Sequence, residues 1–180
     1  MRVIAGSFKG RRLKTPTWEG LRPTSDKLRE TLFNILAPRI MGARVVDGFA
    51  GTGAIGIEAL SRGASHVTFI EKDRRAAQLI QQNVSSCSIE RGFAIETSDV
   101  GAVLRRLPAE RTFDVIVLDP PYDAAGIEQT LDAAAARLAR NGVLVLEHAT
   151  RREPDIPPSL RHMRNVKSGD STLTFLERRV

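Results

Sequence analysis

The chain has 180 residues, of which 42% are hydrophobic and 27% charged, and its formal net charge is +6. This size and composition predict a soluble globular protein built as one domain. A single cysteine, Cys87, excludes an internal disulfide. No apolar stretch approaches the roughly 20 residues of a membrane-spanning helix. We therefore expect a cytoplasmic protein with no membrane partner.

The positive charge is concentrated at the N-terminus. Residues 1–44 hold ten basic and three acidic side chains, a net charge of +7, whereas the rest of the chain holds 17 basic and 18 acidic ones. A localised basic segment is the electrostatic footprint of nucleic acid or another phosphate-rich partner. We predict a basic extension over residues 1–43 and a main domain over residues 44–180, joined in one continuous globular unit.

The predicted elements begin with a short irregular hairpin over residues 2–14 and a loop over residues 15–23. A helix capped by Thr24 or Ser25 follows, because apolar side chains recur at helical spacing from Leu28 to Leu36. Strands and helices then alternate, with strands over residues 45–47, 67–70, 93–95, 113–118 and 143–146 and helices over residues 54–62, 73–84, 100–107 and 127–138. The last of these helices is expected to be stopped by Asn141 and Gly142. Residues 161–167 and 172–178 are predicted to form a closing antiparallel hairpin.

Repeated strand–helix units with apolar strands predict an α/β fold, with a mainly parallel, doubly wound sheet covered by helices. In such sheets ligands bind beyond the carboxyl ends of the strands. Four acidic residues fall at predicted strand ends: Asp47, Glu71, Asp99 and Asp119. We therefore expect these four side chains to line one site.

A glycine-rich segment joins the first strand of this series to its helix. Residues 51–56 match the G-x-G-x-x-G pattern of dinucleotide-binding proteins, and Glu71 lies about 20 residues further on. However, a carboxylate directly before the turn, Asp47, would repel a pyrophosphate, whereas it can accept from the ammonium of S-adenosylmethionine. This favours S-adenosylmethionine over NAD, with Glu71 on the ribose and Asp99 on the adenine amino group. The alternative is that these acids only cap neighbouring helices.

The segment Asp119-Pro120-Pro121-Tyr122 ends the strand over residues 113–118. Two consecutive prolines stop the strand and stiffen the chain. The Asp119 carboxylate and the Pro120 carbonyl then form fixed acceptors for the hydrogens of a planar amine, and they stabilise the positive charge that develops during its methylation. The Tyr122 ring would stack on a base that is unpaired or flipped out. The segment predicts an N-methyltransferase without a metal, since the three histidines lack ligand spacing.

This chemistry leaves several substrates open. A guanine N2 in RNA, an adenine N6 in DNA and a protein glutamine amide all present an NH2 group to such acceptors. The lack of a separate sequence-reading domain counts against DNA, and a protein substrate leaves the basic extension unexplained. A non-catalytic RNA-binding assembly factor is a further alternative, against which the intact Asp47, Glu71 and Asp119 count.

Four blocks of the sequence resemble the RsmD-type ribosomal RNA methyltransferases, and together they span essentially the whole chain. The blocks are RVIAGSFKGRRL at residues 2–13, RPTSDKLRETLFN at 22–34, DGFAGTGAIGIEALSRGA at 47–64 and DPPY at 119–122. The first two are specific, whereas the last two recur in many methyltransferases. The resemblance implies a Rossmann-like seven-stranded fold, S-adenosylmethionine as methyl donor, and methylation of guanine N2 in 16S rRNA, free or within an assembling small subunit.

With the acids argued above, the resemblance implies a cofactor site of Asp47, Phe49, Ala50, Gly51, Gly53, Glu71, Lys72, Asp99 and Asp119. The catalytic residues it implies are Asp119, Pro120, Pro121 and Tyr122. It places RNA binding on the basic extension, where we expect contacts from Arg2, Lys9, Arg11, Arg12, Arg22, Thr24, Lys27 and Arg29. We expect a monomer. Two positions depart from the family pattern: Tyr122 replaces the common phenylalanine, and Ser168 replaces an aromatic residue in the terminal hairpin.

Overall fold

A computed structural model describes residues 1–19, 24–122 and 124–179. The helices are α1 (Asp26–Ile40), α2 (Ala54–Ser61), α3 (Arg74–Ser86), α4 (Val100–Arg106) and α5 (Ile127–Ala135). The strands are β1 (Arg44–Gly48), β2 (His66–Ile70), β3 (Phe93–Glu96), β4 (Phe113–Leu118), β5 (Leu138–Ala149), β6 (Leu160–Ser168) and β7 (Ser171–Arg178). None of the helices in these ranges is long and apolar enough to cross a membrane.

The strands form one seven-stranded sheet in the order β3-β2-β1-β4-β5-β7-β6. The strands β1 to β5 are parallel, and β7 runs antiparallel between β5 and β6. The carboxyl ends of β1 to β5 therefore meet at one edge of the sheet, where ligands bind in folds of this class. This confirms the α/β fold, and it shows that the second strand of the terminal hairpin, not the first, joins β5.

Both faces of the sheet are covered by apolar side chains. Val45, Val115 and Val143 pack with α1, α2 and α3 on one face. The neighbouring residues Val46 and Leu144 pack with α4 and α5 on the other face. Because successive residues of a strand point to opposite faces, burial on both sides explains why these strands read as continuous apolar runs rather than alternating ones.

The connection between α5 and β5 differs from the prediction. The helix predicted over residues 127–138 ends at Ala135, and Leu138 already begins β5. Asn141 and Gly142, expected to stop the helix, lie inside the strand instead. They fall where the register against β4 shifts. A local bulge of this kind absorbs turn-type residues within a strand, so their presence was misread as a helix end.

The N-terminal residues form the expected irregular hairpin, with an isolated antiparallel bridge between Arg2 and Arg12. The hairpin lies on α2, where the buried Glu58 carboxylate accepts the backbone N–H groups of Ile4 and Ala5 at 2.8 and 3.0 Å. On α3, the Asn83 side chain bonds both the N–H and the carbonyl of Lys14. The basic extension is thus held against the main domain by buried polar groups.

Candidate functional site

Three of the four predicted acids meet at the carboxyl edge of the central strands. Asp47 lies in β1 beside Val117 of β4, while Glu71 directly follows β2 and Asp119 directly follows β4. Their charges interact, since Glu71 acts on Asp47 and Asp47 acts on Asp119. Among the residues that the structure describes, no group of three or more His, Cys, Asp and Glu could hold a metal ion. The three carboxyl groups give this edge of the sheet an acidic character.

Asp47 fastens the glycine-rich segment to the start of α2. Its Oδ2 accepts the N–H of Gly56 at 2.8 Å, and the residue is only 1% exposed. Burial disfavours the charged form and raises the pKa of Asp47 to about 8, although the Gly56 hydrogen bond offsets part of this effect. At neutral pH the carboxyl group is therefore mostly protonated, and an adjacent cation would favour its ionisation.

The loop after β1 is held in left-handed conformations. Phe49, Gly51 and Gly53 have φ angles of 59°, 55° and 77°. Glycine adopts these angles without cost, but a bulky residue such as Phe49 does so only under constraint, and such strain clusters at functional sites. Ala50 continues the turn by donating to the Ile70 carbonyl at 3.1 Å. The predicted cofactor residues of this segment thus form one tightly fixed turn.

Glu71 secures the other side of the same turn. Its Oε2 accepts the N–H of Gly51 at 2.9 Å, and its Oε1 accepts the N–H of Asp73 at 2.9 Å. The residue keeps part of its surface exposed, whereas Lys72 beside it is exposed. Glu71 therefore couples the position of the glycine loop to the end of β2.

Asp99 lies further out along the edge, exposed, as the N-cap of α4. Its Oδ1 accepts the N–H of Ala102 at 2.9 Å. The cap that the sequence left as an alternative is thus present for this acid. Because Oδ1 accepts the capping hydrogen bond, an adenine amino group would have to bond to Oδ2 of Asp99.

The third glycine of the G-x-G-x-x-G pattern has a packing role. A Cβ placed on Gly56 would lie 2.2 Å from the Phe69 ring on β2. Since no side chain fits there, glycine lets α2 approach the sheet closely. That approach brings the N–H of Gly56 within reach of Asp47.

Asp119 is held by groups from two distant parts of the chain. Its N–H donates to the Gly48 carbonyl at 3.2 Å, and its Oδ2 accepts the Thr24 hydroxyl at 2.8 Å. Burial and the neighbouring Glu147 carboxyl raise the pKa of Asp119 well above its usual range, and the Thr24 hydrogen bond partly opposes them. Thr24, expected to contact RNA, is therefore placed at the candidate catalytic carboxyl.

Glu147 is a site residue that sequence reasoning missed. It is 6% exposed and follows Leu146, which pairs with Leu118 in the register of β4 and β5. This places its carboxyl group beside that of Asp119, close enough to raise the pKa of Asp119. The sequence signal was present, because Glu147 follows the apolar run over residues 143–146 just as Asp119 follows its own strand.

A cavity of about 300 Å³ opens beside the Asp119 segment. Its lining residues include Pro120, Pro121, Tyr122, Glu147 and Arg152. The Tyr122 ring is 40% exposed, and its hydroxyl lies 3.1 Å from the Ser171 hydroxyl of the terminal hairpin. The Tyr122 carbonyl accepts from the Arg152 guanidinium at 2.9 Å. This volume is within the range of small-molecule pockets.

Five of the residues expected to bind RNA are exposed on the basic extension and the first turn of α1: Arg2, Lys9, Arg11, Arg12 and Lys27. They present cationic side chains to solvent, as phosphate contacts require. Arg22 lies outside the described residues.

The expectation for Arg29 is wrong, because its side chain is fully buried. The guanidinium donates to the Arg2 carbonyl at 2.6 Å and to Asp26 at 2.9 Å, and it lies 3.9 Å from Glu58. Burial lowers the pKa of Arg29. Arg29 therefore fixes the hairpin to α1 and is not available to a phosphate. The signal was its spacing, four residues before the buried Phe33 on the same helix face.

Comparison with known proteins places these features in context. Residues 1–177 match the family model described as Conserved hypothetical protein 95. Ribosomal RNA small subunit methyltransferase D of Haemophilus influenzae is 43% identical over 133 residues, which are 73% of this chain and 68% of that protein. YlbH of Bacillus subtilis is 37% identical over 163 residues, which are 89% of this chain and 88% of the YlbH chain. The structure of YhhF from Escherichia coli superposes with a TM-score of 0.86 at 30% identity, covering 100% of this chain and 98% of that one.

Proposed function

The chain belongs to the Conserved hypothetical protein 95 family, and on this premise we propose that it methylates the exocyclic N2 of a guanine in 16S rRNA, with S-adenosylmethionine as donor. The observation that carries the proposal is the position of Asp119, which lies near Asp47 at the end of β1 and accepts the Thr24 hydroxyl of the N-terminal segment. Methyl donor, amine and RNA would therefore meet at one point of the sheet edge.

The residues of the sheet edge fit S-adenosylmethionine. When bound, this cofactor supplies an electrophilic methyl group on a cationic sulfonium. The turn over residues 49–53 is preformed, with Phe49, Gly51 and Gly53 held in the left-handed region. Asp47 would ionise beside the ammonium, and Glu71 would accept from the ribose hydroxyls while it keeps Gly51 in place. Asp99 would accept from the adenine amino group at the outer end of the edge.

The Asp119 segment would hold the amine. An aromatic amine is a weak nucleophile because its lone pair is delocalised into the ring. The Asp119 carboxylate and the Pro120 carbonyl would accept its two hydrogens, which localises the lone pair and stabilises the developing charge. Fixing the nitrogen in line with the methyl group supplies a further part of the acceleration. Tyr122 on the cavity wall would stack on a base that has left its helix.

The substrate assignment rests on charge and on relatives. The exposed cations of the extension suit a polyanion, and the Haemophilus influenzae relative is named for methylation of small-subunit ribosomal RNA. The guanine N2 follows from the resemblance and from the acceptors at Asp119. We further expect a cytoplasmic monomer that acts on 16S rRNA, either free or within an assembling subunit.

Transfer of labelled methyl groups tests this proposal. The protein is offered naked 16S rRNA, small subunits stripped of this modification, duplex DNA and a protein extract. We expect label in the RNA or the subunits only, and loss of turnover with near-unchanged RNA affinity in Asp119→Ala. Asp114→Ala is the matched control, because Asp114 is an exposed carboxylate on the same strand that bonds the Arg44 N–H away from the site. Label found only in DNA or protein would refute the proposal.

A further inference from the structure

The strongest unassigned feature of the molecule is a pair of carboxyl groups on neighbouring strands, one directly after β4 and one within β5. Asp119 follows Leu118 of β4 and Glu147 follows Leu146 of β5, and these two leucines are partners in the parallel register. This register places the two carboxyl groups side by side, close enough for Glu147 to raise the pKa of Asp119. Two such groups can hydrogen-bond only when one of them holds a proton, because an ionised carboxylate only accepts.

The surroundings favour a single shared proton. Two carboxylates that lie side by side cannot both ionise readily, because each disfavours the charge of the other. A further charge on the neighbouring strand β1, the Asp47 carboxyl, adds repulsion rather than relief. Besides Tyr122 and Glu147, the titratable groups among the described residues of the adjoining cavity are Glu128 of α5, His148 of β5, and Arg152, Glu153 and Asp155 of the following loop. The Arg152 guanidinium already donates to the Tyr122 carbonyl.

The two members of the pair face different spaces. Asp119 is bonded to Thr24 on the side of the N-terminal segment and does not line the cavity. Glu147 lines the cavity together with Pro120 and Tyr122. A proton arriving at Asp119 can therefore reach the water of the cavity through its partner without crossing the apolar core.

We propose that Glu147 is the proton partner of Asp119: the pair holds one proton between its two carboxyl groups, and Glu147 hands on to cavity water the proton that the amine gives to Asp119. This inference rests on the proposed function. The lone pair of the amine nitrogen forms the new N–C bond, and the electron pair of the C–S bond leaves with sulfur. The nitrogen then loses one proton to Asp119, and Glu147 releases one to water, which returns the pair to its single proton.

Glu147→Gln tests the inference, because glutamine keeps the size and a hydrogen bond but cannot ionise. The first measurement needs neither donor nor RNA: carboxyl carbon-13 NMR of Asp119 during a pH titration. Removal of the like charge should move the Asp119 titration to lower pH by at least about one unit. A side chain that only shapes the cavity would leave this titration where it is.

The second measurement is single-turnover methyl transfer to 16S rRNA across pH. We expect Glu147→Gln to be slower by about 100-fold at neutral pH with unchanged RNA affinity, since the proton path is lost. Glu147→Asp should recover part of the rate, because a carboxyl group is restored. Glu153→Gln is the matched control, since Glu153 lines the same cavity without contacting Asp119 in the interactions described.

An unshifted Asp119 titration, or a rate unchanged in Glu147→Gln, would overturn the inference. Failure of the proposed function has a different signature. In that case the wild-type protein methylates no RNA, while the NMR titration still decides whether the two carboxyl groups share a proton.

Discussion

The Thr24 hydroxyl donates a 2.8 Å hydrogen bond to Oδ2 of Asp119, across 95 positions of sequence. Thr24 directly precedes Ser25, the N-cap of α1, and α1 carries the buried Arg29 that binds the N-terminal hairpin. The segment proposed to bind RNA is thus linked to the carboxyl group proposed to hold the amine. Through this contact, RNA binding at the N-terminal segment would affect the position of the Asp119 carboxyl group. Single substitutions can test this effect.

We predict that Thr24→Val lowers methyl transfer by at least about 10-fold at neutral pH, since a hydrogen bond to a charged group contributes about 1.5 to 3 kcal/mol. The Thr24 hydrogen bond holds the pKa of Asp119 down. Its loss raises that pKa further, so the acid limb of the pH–rate profile should move to higher pH. Thr31→Val is the control, because the Thr31 hydroxyl bonds only the Lys27 carbonyl of its own helix. A profile that stays in place would show that Thr24 does not tune Asp119.

Arg11 and Arg12 are expected to contact phosphates. Their joint replacement by alanine should weaken RNA binding and reduce the slope of log K against log salt concentration by about 1.5, since each released counterion contributes about 0.7 to 0.9. Filter binding or fluorescence anisotropy at several salt concentrations measures this slope. The control replaces Arg105 and Arg140, two exposed arginines outside the extension. An equal loss in both double variants would mean that the effect is general charge and not a local contact.

A serine substitution can separate the two roles proposed for Asp99, capping of α4 and binding of the adenine amino group. Serine caps a helix about as well as aspartate but is too short to reach an adenine from this position. Asp99→Ser should therefore leave the unfolding midpoint unchanged and weaken S-adenosylmethionine binding by about fivefold, the value of one hydrogen bond. Asp73→Ser, at the equivalent cap of α3, is the control for titration calorimetry. If Asp99→Ser binds S-adenosylmethionine as tightly as the wild type, Asp99 only caps α4 and does not bind the adenine.

Binding of S-adenosylmethionine should depend on pH through Asp47. Its pKa is raised to about 8 by burial, so below that pH the free protein carries a protonated carboxyl group. A cationic ligand favours the ionised form, so binding releases a proton, and affinity should rise up to about tenfold per unit between about pH 6 and 7.5. Asp47→Asn keeps an acceptor for the Gly56 N–H but cannot titrate, so its affinity should be nearly flat. If the affinity of the wild type did not change with pH, the ammonium of the cofactor would not lie beside Asp47.

The parts of the fold that could be predicted are those that local patterns determine. Apolar runs buried on both faces marked β1, β2 and β4, and helical spacing marked α1 and α3. The position of β7 between β5 and β6 could not be predicted, because the choice of hydrogen-bonding partner for β5 depends on contacts far apart in sequence. The end of α5 was wrong for a related reason, since a bulge against β4 overrides the local signal of Asn141 and Gly142.

The candidate site shows the same division. Acids at strand ends predicted the edge that joins Asp47, Glu71 and Asp119, because parallel strands bring their carboxyl ends together. Counting charges in the sequence could not show which charged side chains are buried. Arg29 contributes to the basic character of the sequence, but its side chain is enclosed by Asp26, Glu58 and backbone. Glu147 was missed because the predicted strand ended with the apolar run at residue 146, whereas β5 continues through Glu147 to Ala149.

Methylation of a guanine N2 is tested most directly by identifying the methylated nucleoside. The purified protein is incubated with S-adenosylmethionine and 16S rRNA or small subunits that lack the modification, and the RNA is then digested and analysed by mass spectrometry. We predict N2-methylguanosine at a defined position in the reaction with wild-type protein, and none with Asp119→Ala. Methylation of adenine at N6, or no methylated guanosine on either substrate, would contradict it.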